Sequence, residues 1–294
     1  MEPNFNQDLK QLTRSLQEVV ENEREAVLAL VIRSLGSAPG KVGAKMLIFP
    51  DGSIEGTVGG GVVEARVIAD SLNALEDGKG PRTINYNLSE LGMSCGGEMG
   101  VYLEPVLPPK RIIIFGGGHV GAAVARVMAS LGCRIKVVDD RPEWANRERF
   151  PQAEEIINLP FAEAVSKYPP GPRDHVLIMT RGHEHDQLIL EAVADKDAAW
   201  VGMIGSKKKA AQALQKLQDN GVPKEKILKV RCPVGLDIGA ITPEEIAISI
   251  AAELILLWRS GKMRSGSQPP PVPGRNNRPE AKNEGVVKKS SEEK

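Results

Sequence analysis

Cysteine is scarce in this 294-residue chain, and aromatic side chains are few. The three cysteines, Cys95, Cys133 and Cys232, are odd in number and show no CxxC spacing, which argues against a disulfide framework and a structural zinc site. Aromatics make up 4% of residues, leaving few rings to stack on bases. Neither sign of charge prevails: 38 Lys and Arg face 38 Asp and Glu, so no net field holds the chain on nucleic acid or an anionic membrane. Long apolar runs are missing too. The longest, Ile246 to Trp258, is broken by Glu253 and falls short of the ~20 residues that cross a bilayer. The opening MEPNFNQDLK carries no apolar signal core. The expectation is a cytoplasmic protein with no nucleic-acid and no membrane partner.

What is present divides into three segments. The length predicts two folded domains, and Pro108-Pro109-Lys110 marks their boundary because prolines remove backbone donors and stiffen the chain. In residues 1–108, Leu9, Leu12, Leu16 and Val19 recur at helical spacing; AVLALVIRS (26–34) and KMLIFP (45–50) have strand character; Asp51-Gly52 is a hairpin turn. Gly59-Gly60-Gly61 then precedes a helical stretch, and alternation returns in RTINYNLS and GVYLEPVL. This is a mixed α+β pattern. From residue 109 to 258, short apolar runs (RIIIF, RIKVVD, EEIINL, HVLIMT, AAWVGMIG) alternate with helical segments starting near His119, Phe161, Asp186 and Ser206, which predicts a Rossmann-like, doubly wound parallel sheet. The last helix has a capping box, Thr242 with Glu245, and an apolar face nearly all round, as for a helix buried between layers or at an interface. Residues 259–294 hold five prolines, nine Lys or Arg and four Glu, the composition of a disordered basic tail.

The sharpest chemical motif is Gly116-Gly117-Gly118-His119-Val120-Gly121, which follows the strand RIIIF and opens a helix. Gly116 permits the tight turn, Gly118 lets a phosphate approach the positive helix end, and Gly121 lets helix and strand pack closely. Asp139, eighteen residues beyond Gly121, ends the next strand where an acid accepts a ribose hydroxyl. Residues leaving the other strands, including Thr180, Arg181, His183 and His185, line the same crevice. Gly205-Ser206-Lys207 opens a further helix and is either a second anion site or the start of a solvated face. His183-Glu184-His185-Asp186 lacks a third ligand at metal spacing, so polar ligand contacts are the better expectation. Cys95, followed by Gly96 and Gly97, is a thiol on a glycine-rich loop open to another molecule, whereas Cys133 lies between a helix end and an apolar strand and is expected to be buried. Gly59-Gly60-Gly61 is either an anion cradle or a simple strand-to-helix turn.

Four segments, SAPGKVGAKMLIFPDGSIEGTVGGGVVE (37–64), MSCGGEMGVYLEP (93–105), FGGGHVGAAVARV (115–127) and VGLDIGAITPEEIAISIAAEL (234–254), give the sequence a resemblance to the XdhC/CoxI family over nearly all of residues 10–258. The resemblance implies an accessory factor for xanthine dehydrogenase and related molybdenum hydroxylases. Such a factor binds the molybdenum cofactor, as molybdopterin or its dinucleotide form, lets a cysteine desulfurase exchange an oxo ligand for sulfur, and hands the cofactor to the apo-hydroxylase. On this resemblance Cys95, Gly96 and Gly97 contact the cofactor, with Cys95 as a soft donor to the metal. Gly116, Gly118, Gly121 and Asp139 match the family's nucleotide fold; the residue pattern adds His119, Gly205, Ser206 and Lys207 to the expected binding edge, and a homo-oligomer is expected. Two positions depart from the family pattern: Gly61 and Ser94 stand where many or some relatives carry cysteine, so the thiol chemistry of the first domain rests on Cys95. The glycine loop alone also fits an NAD(P)-dependent oxidoreductase or a nucleotide-sensing module, although no proton donor and substrate clamp for hydride chemistry is evident.

Overall fold

The computed structural model describes residues 5–77, 80–92 and 96–260. The chain opens with α1 (Phe5–Glu21). Its Leu12 and Val19 are buried against Ala26 and Leu47, whereas Leu9, spaced for the same face, is exposed. There follow β1 (Ala26–Leu35), β2 (Lys45–Ile48), β3 (Ile54–Gly56), α2 (Gly61–Asp77), β4 (Arg82–Asn87) and β5 (Glu98–Val106). They form an antiparallel sheet of order β3-β2-β1-β5-β4. Side chains alternate faces along β1: Val27, Ala29 and Val31 pack with Val63 and Val67 of α2, while Ala26 and Leu28 pack with α1. The Asp51-Gly52 turn joins β2 to β3 as expected, with Gly52 in the left-handed region (φ +81°) and its N–H donating to the Phe49 carbonyl.

After Val106 the period changes. β6 (Arg111–Phe115), α3 (His119–Ser130), β7 (Arg134–Val138), β8 (Glu155–Ile157), α4 (Phe161–Lys167), β9 (Asp174–Ile178), α5 (His183–Ala194), β10 (Trp200–Met203), α6 (Lys207–Asp219), α7 (Lys224–Ile227), β11 (Val230–Arg231) and α8 (Pro243–Ser260) complete the described chain. The six strands are parallel and ordered β11-β10-β9-β6-β7-β8. Both faces are covered, which is why the strands are apolar throughout. Ile112 and Ile114 of β6 pack with Ala122, Met128, Ile250 and Leu254 on one side, and Ile113 and Phe115 pack with Phe161, Ile189 and Leu217 on the other. Strand order reverses between β6 and β9, and in such sheets the crevice at the carboxyl ends of those two strands takes the ligand.

Several details depart from the expectations. α5 begins at His183 rather than Asp186, with Gly182 at its N-cap. β11 and α7 were not anticipated, being too short, at two and four residues, to show a period. α8 has its capping box: Glu245 accepts the Thr242 N–H at 2.9 Å and its own N–H donates to Thr242 Oγ1 at 3.3 Å. Yet it buries only one face, since Ala247, Ile250, Ala251 and Leu254 are covered whereas Ile248 and Ile255 are 55% and 40% exposed. The far end of α8 is fixed by Trp258 Nε1 donating to Nε2 of buried His175 at 2.9 Å, and burial pushes that imidazole down to about 4. The proposed tail falls outside the described residues from 261 onward. Among the described residues, no helix is long and apolar enough to cross a membrane.

At the amino ends of the parallel strands, opposite the crevice, Glu23 joins the two sheets: its carboxylate pairs with Arg134 and its carbonyl accepts from Arg173 Nη1 at 2.6 Å. A groove of about 340 Å³ runs there. Its cations are already matched, Arg111 with Asp174 at 2.8 Å, Arg134 with Glu154 at 3.1 Å and Lys136 with Glu155 at 2.7 Å. It is a polar seam holding the sheets together, not an anion site.

Candidate functional site

The glycine loop leaves β6 in a tight turn. Gly116 has φ +116°, a region that L side chains rarely adopt, and its N–H donates to the Val138 carbonyl at 2.8 Å. A Cβ on Gly116 would lie 2.3 Å from the Met179 carbonyl oxygen, and one on Gly121 would lie 2.1 Å from that of Gly116. These two glycines are required by the loop's own packing. Gly118 differs. It is the N-cap of α3, with φ −66° and ψ −171°, no side chain caps the helix, and a Cβ there would meet nothing within 4 Å. The first amides of α3 and the positive end of its dipole therefore open onto the crevice without a side-chain acceptor. His119 is exposed beside them, its ring edge-on to Trp144 at 5.5 Å.

Asp139 is tied into the loop itself. Expected at a ribose, its side chain is fully buried and accepts hydrogen bonds from the loop. Oδ2 accepts the Gly117 N–H at 2.8 Å and Arg141 Nη2 at 3.0 Å, while Oδ1 accepts the Arg141 N–H at 3.1 Å and Nε at 2.9 Å. The next residue, Asp140, is the acid nearer the surface. It makes a bidentate pair with Arg181 at 2.6 and 2.9 Å, and that hydrogen-bonded guanidinium holds its carboxyl below the usual range.

Trp144 and Arg149 escaped the reading of the sequence. The Arg141 and Arg149 guanidinium groups lie 5.0 and 4.7 Å from the Trp144 ring centre. Arg149 Nη2 also reaches the Gly117 carbonyl at 3.4 Å, and its Nε is buried without a hydrogen-bond partner. Arg149 thus touches the glycine loop directly, Arg141 is linked to it through Asp139, and Arg181 is held by Asp140. The available signal was a tryptophan with flanking arginines just after the second strand of a Rossmann pattern, which spacing rules for the glycine motif do not cover.

Further along the carboxyl edge, Thr180 N–H and Oγ1 donate to Asp186 Oδ1 at 2.9 and 2.7 Å, and burial raises the Asp186 carboxyl. His183 contacts Lys209, and His185 packs edge-on to Phe161 at 5.5 Å. Ser206 is the N-cap of α6, its Oγ accepting the Lys209 N–H at 3.4 Å. Gly205 and Lys207 are exposed on either side. Unlike α3, this helix start therefore has a side-chain acceptor of its own. Cys232 lies close to Gly205, and burial pushes its thiol up to about 11, as it does that of half-buried Cys133. Among the described residues no group of three His, Cys, Asp or Glu side chains is placed to hold a metal ion.

In the first sheet's loops, Gly59-Gly60-Gly61 carries an internal acceptor. Glu64 Oε2 of α2 accepts from Thr57 Oγ1 and, at 3.2 Å each, from the Val58 and Gly60 N–H groups. A Cβ on Gly97 would lie 2.5 Å from the Leu35 carbonyl oxygen, and one on Gly59 2.5 Å from the Gly40 nitrogen. Backbone at residues 35–40, 58–59 and 97 thus meets without room for side chains, whereas Gly60 and Gly61 have open space around them. Gly96 has φ +63°. Cys95 lies outside the described residues, as do Met93 and Ser94.

Two family models match the chain in tandem: one described as the XdhC and CoxI family over residues 19–87, the other as the XdhC Rossmann domain over residues 112–254. Among curated relatives, the uncharacterized protein YqeB of Escherichia coli K12 is 38% identical over 234 residues, a match covering 78% of this chain and 42% of YqeB. This chain thus spans less than half of YqeB. A probable xanthine dehydrogenase subunit of Bacillus subtilis is 24% identical, with 82% of this chain and 95% of that protein covered. The molybdenum cofactor insertion chaperone PaoD of Escherichia coli K12 is 22% identical, with coverages of 84% and 88%.

Proposed function

This chain belongs to the XdhC/CoxI family, and from that premise we propose that it is a maturation factor for a molybdenum hydroxylase. It binds the molybdenum cofactor as cargo, supports exchange of an oxo ligand for sulfur by a cysteine desulfurase, and passes the cofactor to the apo-hydroxylase. The observation that carries the reading is Gly118: an uncapped helix start with open space over it, at the switch point of a parallel sheet, with Arg149 reaching the neighbouring Gly117 carbonyl. That is an environment for a phosphate or diphosphate ester, the group by which a pterin cofactor of either form would be held. A relative named as a cofactor insertion chaperone supports the identity of the cargo.

Within this reading the residues divide their work. Gly116 and Gly121 fix the loop, Gly118 and the first amides of α3 take the phosphate, and His119 borders it. Asp139 holds the loop in shape through Gly117 rather than by touching a ribose. Gly205, Ser206 and Lys207, with Lys208, lend positive potential farther along the same edge. Gly96 lets the cargo approach the first half of the protein, Gly97 seats the loop against the Leu35 carbonyl beside it, and Cys95 meets the metal as a thiolate donor. We further propose that residues 1–108 and 109–258 act as two domains holding the cargo between them, and that the protein works in the cytoplasm as a homo-oligomer.

The test is to express Cys95→Ser and Gly118→Val separately beside the partner hydroxylase. Both variants should leave the hydroxylase poor in molybdenum and inactive. Full hydroxylase activity with Cys95→Ser at normal expression removes the thiol from the mechanism. Full activity with Gly118→Val removes the glycine loop.

A further inference from the structure

The Asp140–Arg181 pair lies where a diphosphate would pass. β6 sits between β9 and β7, and all three run parallel, so the loops after β9 and β7 flank the glycine loop at one end of the sheet. The Gly116 backbone touches both: its N–H donates to Val138, and its Cα faces the Met179 carbonyl. Two residues beyond Met179 and two beyond Val138, Arg181 and Asp140 join across the end of β6 through two hydrogen bonds of 2.6 and 2.9 Å. In a sheet of this order a nucleotide diphosphate crosses the same end, from the strand after the glycine-motif helix toward the strand beyond the switch point. Ion pair and ligand would share one path.

We infer that this pair is a strap over the glycine loop, and that Arg181 is a diphosphate-binding residue for which Asp140 and the ligand compete. The inference rests on the phosphate reading of the loop given above. The strap's two ends are anchored: Thr180 is tied to buried Asp186 by two hydrogen bonds, and Asp140 follows fully buried Asp139. Opening it needs only that two partly exposed side chains part, with side-chain exposures of 39% for Arg181 and 26% for Asp140. An ion pair so placed shifts an equilibrium by roughly two- to fivefold. A diphosphate offers the same guanidinium a stronger, multiply charged acceptor. Arg141 cannot serve in its place, because its guanidinium is held by Asp139.

Titration calorimetry of the full chain with ADP-ribose tests this. Arg181→Ala should weaken binding roughly tenfold or more, Arg181→Lys should fall between it and wild type, and Asp140→Asn should tighten binding roughly two- to fivefold by releasing Arg181. If Arg181→Ala and Asp140→Asn both bind like wild type while Gly118→Val still abolishes binding, the strap is overturned and the glycine-loop reading stands. Weaker binding by Asp140→Asn also overturns the strap, since Asp140 would then be a ligand contact. Wild-type protein that fails to bind ADP-ribose, or that binds it equally well after Gly118→Val, overturns the diphosphate reading of the loop and the strap with it.

Discussion

The glycine loop makes a prediction that separates packing from binding within a few residues. At Gly121 an added Cβ would sit 2.1 Å from the Gly116 carbonyl oxygen, more than 1 Å inside van der Waals contact. The obstacle is backbone, so α3 and β6 must move apart. Overpacking of this kind costs about 1–3 kcal/mol, which for a folded region of this size lowers the melting temperature by about 2–12 °C. At Gly118 the same Cβ meets nothing within 4 Å and φ is −66°, so Gly118→Ala and Gly118→Val should change stability by no more than about 0.5 kcal/mol. Binding should show the reverse order. Val at 118 fills the space in front of the helix amides and should remove phosphate-ester affinity from a normally stable protein. Calorimetric melting and ligand titration on Gly121→Ala, Gly118→Ala and Gly118→Val provide the two readouts. A Gly118→Val protein that melts well below wild type, or a Gly121→Ala protein that melts with it, would refute the division of roles.

Other outcomes follow from groups away from the loop. His175 titrates at about 4 in the folded chain against an ordinary 6.5, so protonation favours unfolding: the stability is fully present above pH 6.5 and falls by about 3 kcal/mol as pH drops to 4. His175→Gln, which keeps an acceptor for Trp258 and cannot titrate, should flatten that part of the melting-temperature profile. Thr242→Ala removes the acceptor for the Glu245 N–H and should cost about 1 kcal/mol in denaturant unfolding; no change would mean that the cap is not formed in solution. With thiols raised to about 11, Cys133 and Cys232 should hold about 0.1% thiolate at pH 8, so iodoacetamide should alkylate Cys95 first if that thiol is as open as its glycines imply. Mass mapping showing Cys232 modified first contradicts this.

The fold was legible because its signals were long or repeated. The alternation of buried strands with helices from Arg111 onward predicted the parallel sheet, and Thr242 with Glu245 marked the start of α8 to the residue. What escaped were features made by tertiary contacts. Nothing local in Val-Asp-Asp-Arg says that Asp139 turns inward to Gly117, twenty-two residues away, while Asp140 turns toward Arg181, forty-one residues away; spacing identifies an acidic position but not the rotamer that packing selects. The same holds for Glu64, whose carboxylate occupies the Gly59–Gly61 turn, and for Trp144, which gains its two arginines only once the loop after β7 folds back. α8 was expected to be covered more fully because the thirteen residues 246–258 are apolar apart from Ser249 and Glu253 and suggest burial, whereas α3 and the sheet reach only one side of it.

The central claim is that the protein carries molybdenum cofactor. The most direct measurement is to purify the full chain from cells that make the cofactor and to assay molybdenum and pterin in the same sample, with Cys95→Ser protein prepared in parallel. The account predicts molybdenum and pterin together in near-stoichiometric amounts in wild type and a loss of both in the variant. Pure wild-type protein that carries a nucleotide but neither molybdenum nor pterin would contradict it.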